Sequence, residues 1–416
     1  MPKRPPGVYK RGSTWSVVID HGRDPDTGKR KQVWHSGFAT LTEASEARTR
    51  LLRERDTGAA IDPSRQTFAE FLRDEWLPSR APTTGRAGRG HRGKVGIQTW
   101  DSYRGDLERH VIPRIGGIAL QKLTPPDLNR LYDELEQSGG QRGAGLAPKT
   151  IANVHGVIHK ALADAVKLGK VSRNVADAVE KPSAAKAVHD IWSPEQLRAF
   201  LRSVREDRLY AMWLLFATTG MRRGEVAGLA WDDVDLVAGQ VRISWTLGVV
   251  QSKPTWKPRA KSAAGERLMA LDPATVQALR EHRARQHEGR LRIGPAWQRR
   301  LTDWRGQFRD DLVFTWPDGN LIHPQRISKW FADRCGDADL PRIRLHDVRH
   351  TYASAALANA TGWHEMKLIS QRLGHATIGI TLDTYSHVLP AADEQAACTL
   401  ARVILGEDEA ESAGPL

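Results

Sequence analysis

Cysteine and long apolar runs are the two features that this sequence most clearly lacks. Cys335 and Cys398 are its only cysteines among 416 residues, and they are too far apart in sequence to form a CxxC pair. A disulfide framework or a cysteine-ligated zinc site is therefore not expected, and a reducing cytoplasm fits. No apolar run approaches the ~20 residues that span a bilayer, and the opening MPKRPPGVYKRG holds no apolar segment of a secretory signal.

Acidic residues are also in the minority. Lys and Arg number 62 against 49 Asp and Glu, which gives a net charge of +13. Such an excess favours a polyanionic partner, either nucleic acid or an acidic membrane surface. Because the sequence has no apolar run long enough to span a membrane, nucleic acid is the better candidate for the partner. Apolar residues make up 40% of the chain, so we expect it to be largely folded, in two or three domains.

Composition and periodicity divide the chain into three segments and a tail. Residues 1–60 predict a small three-stranded sheet and one helix, which Thr40 or Thr42 would cap. Residues 66–182 have helical periodicity throughout. Residues 192–405 mix helices and strands, and residues 406–416 form an acidic tail.

Strand patterns in the third segment are clear but local. The stretch QVRISWTLGVV alternates from Val241 to Val249 and predicts one strand, with ERLMALDP as its neighbour in the sheet; helices are expected after it. In KTIANVHGVIHKALADAV, the periodicity predicts a helix that Thr150 caps.

Several polar groups of the third segment lie where a fold alone would not require them. In TTGMRRGEVAGLAW an apolar helix ends at Gly220, and Arg222 and Glu225 follow; a surface turn with an ion pair would explain this equally well. In RLGHATIG, Gly374 is suited to end a helix and expose His375.

A further cluster lies in LHDVRHTYAS, where His346 and Arg349 are three residues apart and share a helix face. His346 and His350 have the spacing of a two-histidine metal site. Asp347 replaces the glutamate of a zinc protease, however, and Arg349 would repel a cation, so no metal is expected.

Arginines and imidazoles together with a tyrosine, here in LDTYSHV, suggest phosphoryl transfer without a metal. Guanidinium groups bind non-bridging oxygens and stabilise the charge that grows in the transition state. A phenol can attack phosphorus to form a covalent ester, after which a general acid protonates the departing oxygen. A lone tyrosine is more often a core aromatic, so this reading depends on the other groups.

Residues 215–235, 257–271 and 343–389 resemble the catalytic domain of the tyrosine recombinase (phage integrase) family. That family has an Arg in a TG-x-R-x-x-E turn, a Lys in a β-hairpin, H-x-x-R at a helix start, LGH, and a nucleophilic Tyr about ten residues later. The matching residues, in the family's order, are Arg222, Lys261, His346, Arg349, His375 and Tyr385. Lys257 and Lys253 remain alternatives to Lys261.

The resemblance implies an α+β, mostly helical fold in which residues 66–182 form a helical, SAM-like core-binding domain. Residues 1–60 resemble the arm-type DNA-binding domain of larger integrases, and residues 192–405 the mixed α/β catalytic domain. The implied function is a site-specific recombinase that integrates or excises a mobile element. A type IB-like topoisomerase and a non-catalytic DNA-binding regulator on the same fold are the alternatives.

The resemblance also implies a role for each residue. Tyr385 would attack the scissile phosphodiester and form a 3′-phosphotyrosyl link. Arg222 and Arg349 would hold the non-bridging oxygens, and Lys261 would protonate the leaving 5′-oxygen.

Both histidines would assist this chemistry. His346 would help to remove the tyrosine proton, and His375 would hydrogen-bond the phosphate. No cofactor or metal is implied, because the phosphotyrosine keeps the energy of the broken bond.

The implied partners are double-stranded DNA attachment sites, three further copies of the chain in a homotetramer, and accessory DNA-bending and excision factors. Residues 389–405 would pack on a neighbouring subunit or on their own domain. A bacterial cytoplasm, in association with the nucleoid, is the implied location. Target sequences and the identity of the element do not follow from the sequence.

Overall fold

The computed structural model describes residues 5–23, 28, 30–56, 63–82, 95–140, 143–183, 190–258, 267–360, 362–375 and 377–385; at residues 21, 23, 31, 54–56 and 383–385 it describes the backbone alone. The chain divides into two compact units, Met1–Ala187 and Val188–Leu416. The predicted α+β, mostly helical fold with a small N-terminal sheet is confirmed.

The N-terminal sheet is antiparallel, with strand order β1-β2-β3. One face is buried because Val8, Val17 and Ile19 point toward Ala44 of the following helix, and these four form a small core. Thr40 caps that helix, since its Oγ1 accepts a hydrogen bond from the backbone N–H of Glu43 (3.1 Å). The elements are β1 Val8–Arg11, β2 Thr14–Arg23, β3 Arg30–Phe38 and α1 Leu41–Asp56.

The rest of the first unit is helical and encloses a separate core. Two π-helical turns, Phe71–Trp76 and Leu107–Val111, continue directly into the flanking α-helices. The α-helices are α2 Phe68–Glu70, α3 Leu77–Arg80, α4 Ile97–Asp106, α5 Ile112–Ile115, α6 Pro125–Ser138 and α7 Pro148–Lys167, with 3₁₀ turns at Leu120–Lys122 and Val175–Ala178.

Helix α7 buries the predicted face but begins earlier than predicted. Its N-cap is Ala147 and its first residue is Pro148, so the prediction that Thr150 caps this helix is wrong. Proline suits the first helical position because its φ is already helical and its missing N–H would have no helical partner.

In the described part of the second unit, helices surround three small antiparallel sheets. The sheets have the orders β4-β5-β8, β6-β7 and β9-β10. The strands are β4 Val234–Asp235, β5 Gln240–Ile243, β6 Trp245–Val250, β7 Lys253–Pro258, β8 Arg267–Ala270, β9 Arg300–Thr302 and β10 Phe308–Asp310. The helices are α8 Pro194–Ser203, α9 Tyr210–Thr219, α10 Arg223–Ala227, α11 Pro273–Ile293, α12 Pro324–Asp337, α13 Leu345–Ala358, α14 Trp363–Leu373 and α15 Ile378–Tyr385, with 3₁₀ turns at Trp231–Asp233 and Gly294–Ala296.

Two strand predictions for this unit need correction. The single strand predicted from Val241 to Val249 is two strands, because the chain changes sheets at Ser244, whose hydroxyl donates to Asp233 (2.6 Å). The predicted pairing of ERLMALDP with this stretch is confirmed for β5 and β8. The expectation of helices alone after β8 is wrong, because β9 and β10 form a hairpin.

Helix α9 is the centre of the second unit. It is apolar on every side and packs against α8, α10, α11 and α13. It has only ten residues, and none of the helices in the described ranges is both long and apolar enough to cross a membrane. Because α9 is buried, the turn that follows it and the start of α10 lie next to the core of the second unit.

Candidate active site

The candidate site forms where two helices end. Helices α9 and α14 both stop at a glycine in the left-handed conformation, Gly220 (φ 62°) and Gly374 (φ 66°). Only glycine adopts this conformation without strain, and such an ending leaves the last helical carbonyls for other donors. A Cβ atom on Gly220 would also lie 2.6 Å from Tyr352 Cδ1. The TTG and LGH motifs therefore create two helix C-termini that present carbonyl oxygens.

Arg222 follows Gly220 by two residues and is the N-cap of α10. Its Nη1 donates to Glu225 Oε1 (3.1 Å), its backbone N–H donates to Glu225 Oε2 (2.9 Å), and its Nη2 donates to the Gly374 carbonyl (3.2 Å). About a third of its side chain (35%) stays exposed. Glu225 and the end of α14 thus fix the Arg222 guanidinium while the side chain stays partly exposed.

Glu225 is not part of the surface turn that the sequence allowed, because only 1% of the residue is exposed. Burial alone would raise the pKa of this carboxyl group. Arg267 and Arg222 outweigh that effect through charge and hydrogen bonds and lower the pKa of Glu225 to about 2. The residue is therefore an anion at neutral pH that orients two guanidinium groups.

Arg349 lies in the second turn of α13 and is buried, with 4% exposed. Its Nη1 donates to the Gly220 carbonyl (2.7 Å), and its Nη2 donates to the Leu373 carbonyl (2.6 Å). One guanidinium therefore joins the C-terminus of α9 to that of α14. The negative end of each helix dipole stabilises its charge.

His375 follows Gly374 and contacts both an arginine and a helix. Its Nε2 lies 3.0 Å from Arg349 Nη2, and its Nδ1 lies 2.8 Å from Thr381 Oγ1. Because a guanidinium only donates, Nε2 must be the acceptor and Nδ1 must carry the proton. Burial, and then the charges of Arg349 and Arg222, lower the pKa of His375 to about 4. The ring is therefore neutral at pH 7.

Thr381 connects this centre to the helix that ends at Tyr385. Thr381 is fully buried and lies in α15, four residues before Tyr385. The contact between Thr381 and His375 therefore fixes the position of α15 next to the site. Tyr385 is the last described residue of this helix, and the structure describes its backbone alone.

His346 is in the first turn of α13, three residues before Arg349. Its ring meets that of His350 edge-on, with centroids 5.1 Å apart. Burial, and then the neighbouring His350 and Arg349, lower the pKa of His346 to about 4. A neutral imidazole is able to accept a proton.

The predicted lysine is not placed by the structure. Lys261 lies outside the described residues, between the end of β7 at Pro258 and the start of β8 at Arg267. The alternatives Lys253 and Lys257 both lie in β7 and are exposed. The structure therefore brings together Arg222, Arg349 and His375, and leaves the choice of lysine open.

Sequence reasoning missed two contributors, Arg267 and Thr381. Both lie within the segments 257–271 and 343–389 that resemble the family, but the resemblance assigned neither residue a role. The signal for Glu225 was available, because it is the acidic member of the TG-x-R-x-x-E turn.

The assembled groups suit an anion with two free oxygens. Guanidinium groups in a partly buried site, held by helix ends and a carboxylate, are suited to bind phosphate oxygens. Groups of three or more His, Cys, Asp or Glu that could hold a metal ion are absent from the described part of the chain.

Three family models match the chain. Residues 193–392 match the phage integrase family, residues 7–54 match an arm DNA-binding domain, and residues 89–135 match the N-terminal SAM-like domain of phage integrases.

Relatives span nearly the whole chain. A tyrosine recombinase XerC-like protein of Caldanaerobacter subterraneus subsp. tengcongensis is 25% identical over 409 residues, covering 93% of this chain and 95% of the relative. The ICEBs1 integrase of Bacillus subtilis is 24% identical and covers 92% of this chain and 95% of its own length. A solved Tn1549 transposon integrase, in complex with a circular intermediate DNA, has a TM-score of 0.62 at 19% identity and covers 81% of this chain and 100% of its own. That structural likeness supports the fold.

Proposed function

Because the chain belongs to the phage integrase family of tyrosine recombinases, we propose that it is a site-specific DNA recombinase that integrates or excises a phage or another mobile element. The observation that carries the proposal is the meeting of Arg222, Arg349 and His375 at two helix C-termini, beside the helix that ends at Tyr385. The relatives are recombinases and integrases, which does not favour a topoisomerase or a non-catalytic regulator.

In the proposed first step, the Tyr385 oxygen attacks the scissile phosphorus and the bond to the 5′-oxygen breaks. A 3′-phosphotyrosyl ester remains. Arg222 and Arg349 bind the non-bridging oxygens, and Lys261 gives its proton to the leaving 5′-oxygen. The imidazole of His346, which is neutral at pH 7, takes the phenol proton.

Rejoining reverses these steps. The 5′-hydroxyl of a partner strand attacks the phosphotyrosine and releases the tyrosine. Neither cleavage nor rejoining consumes a nucleotide or needs a resident metal, because the phosphotyrosyl ester keeps the energy of the cleaved bond. His375 supports both directions by donating to the phosphate, which requires that its present contacts rearrange when DNA binds.

The proposed partners are double-stranded attachment sites and three further copies of the chain on two such sites. Accessory DNA-bending and excision factors would set direction. Residues 66–182 would bind core DNA, residues 192–405 would carry out cleavage and rejoining, and the reaction would take place on bacterial DNA in the cytoplasm. Residues 386–416, including the acidic tail 406–416, lie outside the described residues.

The general acid can be tested with substrates that differ in one atom. Lys261→Ala should slow cleavage of a nicked suicide substrate by roughly 10²- to 10⁴-fold, the usual contribution of acid–base catalysis. A 5′-bridging sulfur should restore much of the rate, because a thiolate leaves without a proton. Adduct formation would be measured on denaturing gels with EDTA present.

Wild type should give a covalent adduct on both substrates, and its failure to do so would refute the recombinase proposal. If the sulfur substrate is cleaved equally slowly by Lys261→Ala, the acid is another residue. Lys257→Ala would then be tested on the same two substrates as the alternative general acid.

The outer face of the N-terminal sheet supports a second DNA contact. Tyr9 and Trp34 are 41% and 43% exposed, with ring centroids 5.6 Å apart, and the guanidinium of Arg11 lies 4.2 Å from the Trp34 ring. The strand register places these side chains on the face opposite the one that α1 covers. Exposed aromatic and cationic groups on one face fit a polyanion better than a core.

We expect the double variant Arg11→Ala and Trp34→Ala to bind DNA from the flanks of the crossover site at least about tenfold more weakly, since one or two contacts of 1–3 kcal/mol are lost. Cleavage of a short crossover site should not change. Fluorescence anisotropy and the suicide substrate measure the two effects, with Arg50→Ala on the exposed side of α1 as control. Equal flank affinity in the double variant and wild type would exclude this sheet as an arm-site reader.

A further inference from the structure

Arg267, the first residue of β8, makes a set of contacts next to the candidate site that involves every N–H-bearing atom of its guanidinium. Its Nη2 donates to Glu225 Oε2 (2.8 Å) and its Nη1 donates to Glu225 Oε1 (3.2 Å), so the pair is two-pronged. Its Nε donates to the Arg372 carbonyl (2.7 Å). Only 8% of the side chain is exposed, against 1% for Glu225.

These contacts belong to a larger pattern at the C-terminus of α14. The carbonyls of Arg372, Leu373 and Gly374 are consecutive, and each accepts a hydrogen bond from a different guanidinium, Arg267, Arg349 and Arg222 respectively. A Cβ atom on Gly374 would lie 2.7 Å from Arg267 Nη1 and 3.4 Å from Arg222 Nη1. The glycine therefore leaves room for two of the three arginines, and the helix end stabilises all three charges.

The charge balance around Glu225 explains why Arg267 affects the orientation of Arg222. Glu225 carries one negative charge that Arg267 and Arg222 share, and Arg267 makes the shorter, two-pronged contact while Arg222 keeps about a third of its side chain exposed. Without the fork of Arg267, the buried carboxylate would need another donor to replace the lost hydrogen bonds. Arg222 is the nearest cation able to supply them, and it would turn inward.

We propose that Arg267 is a positioning residue for the strand-cleavage reaction. It satisfies Glu225 and the end of α14 so that the guanidinium of Arg222 stays directed at the scissile phosphate. The inference rests on the proposed function, because it gives Arg222 the role of binding a phosphate oxygen. Arg267 itself is too buried to reach DNA, so it acts through Arg222 and not on the substrate.

The test uses the full chain and the conservative variant Arg267→Lys, which keeps the charge but loses the fork. Single-turnover cleavage of the nicked substrate at saturating DNA should fall roughly 100-fold, as for a catalytic group displaced by about 1 Å. DNA affinity should remain unchanged. The matched control is Arg309→Lys, which alters another largely buried ion pair of the same unit, that of Arg309 with Asp233.

A second substrate separates positioning from a general loss of stability. A methylphosphonate at the scissile position has no negative charge for Arg222 to neutralise, so Arg267→Lys should lose much less rate on it than on the normal phosphate. The ratio of the two rates does not depend on how much of the enzyme is folded. Destabilisation alone would lower both rates equally and leave the ratio at the wild-type value.

An unchanged ratio in Arg267→Lys would therefore overturn the positioning role, as would wild-type cleavage of the normal substrate. If wild type itself forms no adduct, the proposed function fails instead. The two failures are thus distinguishable in one set of reactions.

Discussion

Tyr385→Phe is expected to abolish the covalent protein–DNA adduct while DNA binding persists. Phenylalanine keeps the ring but removes the attacking oxygen, and loss of a nucleophile can lower the rate on the order of a millionfold. Affinity should survive because it depends on the basic surfaces and not on a phenol. Wild type and variant would be compared on a nicked suicide substrate with EDTA, followed by denaturing gels and peptide mapping to LDTYSHV.

If Tyr385 has only a structural role, the expected result is different. If Tyr385 were only a core aromatic, its replacement would cost about 1 kcal/mol of stability through one hydrogen bond and leave activity near wild type. A covalent adduct with the Phe variant, or a strict need for a divalent metal, would contradict the mechanism. Thr381→Ser serves as the control on the same helix, because serine keeps the hydroxyl that contacts His375.

The motifs predict where Arg222, Arg349 and His375 lie because each motif describes a local structure; the catalytic roles of these residues stay predictions. TTG and LGH end helices with a left-handed glycine, and H-x-x-R places two side chains on one helix face, so short spacings were sufficient for Arg222, Arg349 and His375. Arg267 was out of reach for the opposite reason. Its partners Glu225 and Arg372 are 42 and 105 positions away, and pairing across such separations leaves no periodic trace in a single sequence.

For the fold, local patterns in the sequence predict an element better than they predict where it begins or ends. Alternation in the sequence predicts β5 and its partner β8 but continues through Ser244, where the chain changes sheets. In β6 the buried residues are Leu247 and Val250, so burial no longer alternates there. The sequence predicts a side-chain cap at Thr150 for α7, whereas the helix begins at Pro148, whose preset φ is already helical.

Arg349→Lys is expected to lower both the rate of strand cleavage and the stability of the protein. The guanidinium donates to the Gly220 and Leu373 carbonyls and to His375, and the single ammonium of lysine cannot span two helix ends in that geometry. Losing a preorganised donor for the developing phosphate charge should slow cleavage about 10²- to 10³-fold. The free energy of unfolding should fall as well, by about 1–3 kcal/mol, because a buried carbonyl is left without a donor.

Single-turnover cleavage and urea unfolding measure these two effects separately. Arg305→Lys is the matched control, since Arg305 also donates to a main-chain carbonyl, that of Trp256 (2.6 Å), outside the site. The control should lose some stability and little activity. If Arg349→Lys cleaves DNA within a few-fold of wild type while its stability falls, the guanidinium only braces α9 against α14. The charge in the transition state must then be met by Arg222 and His375, whose orientation would not depend on Arg349.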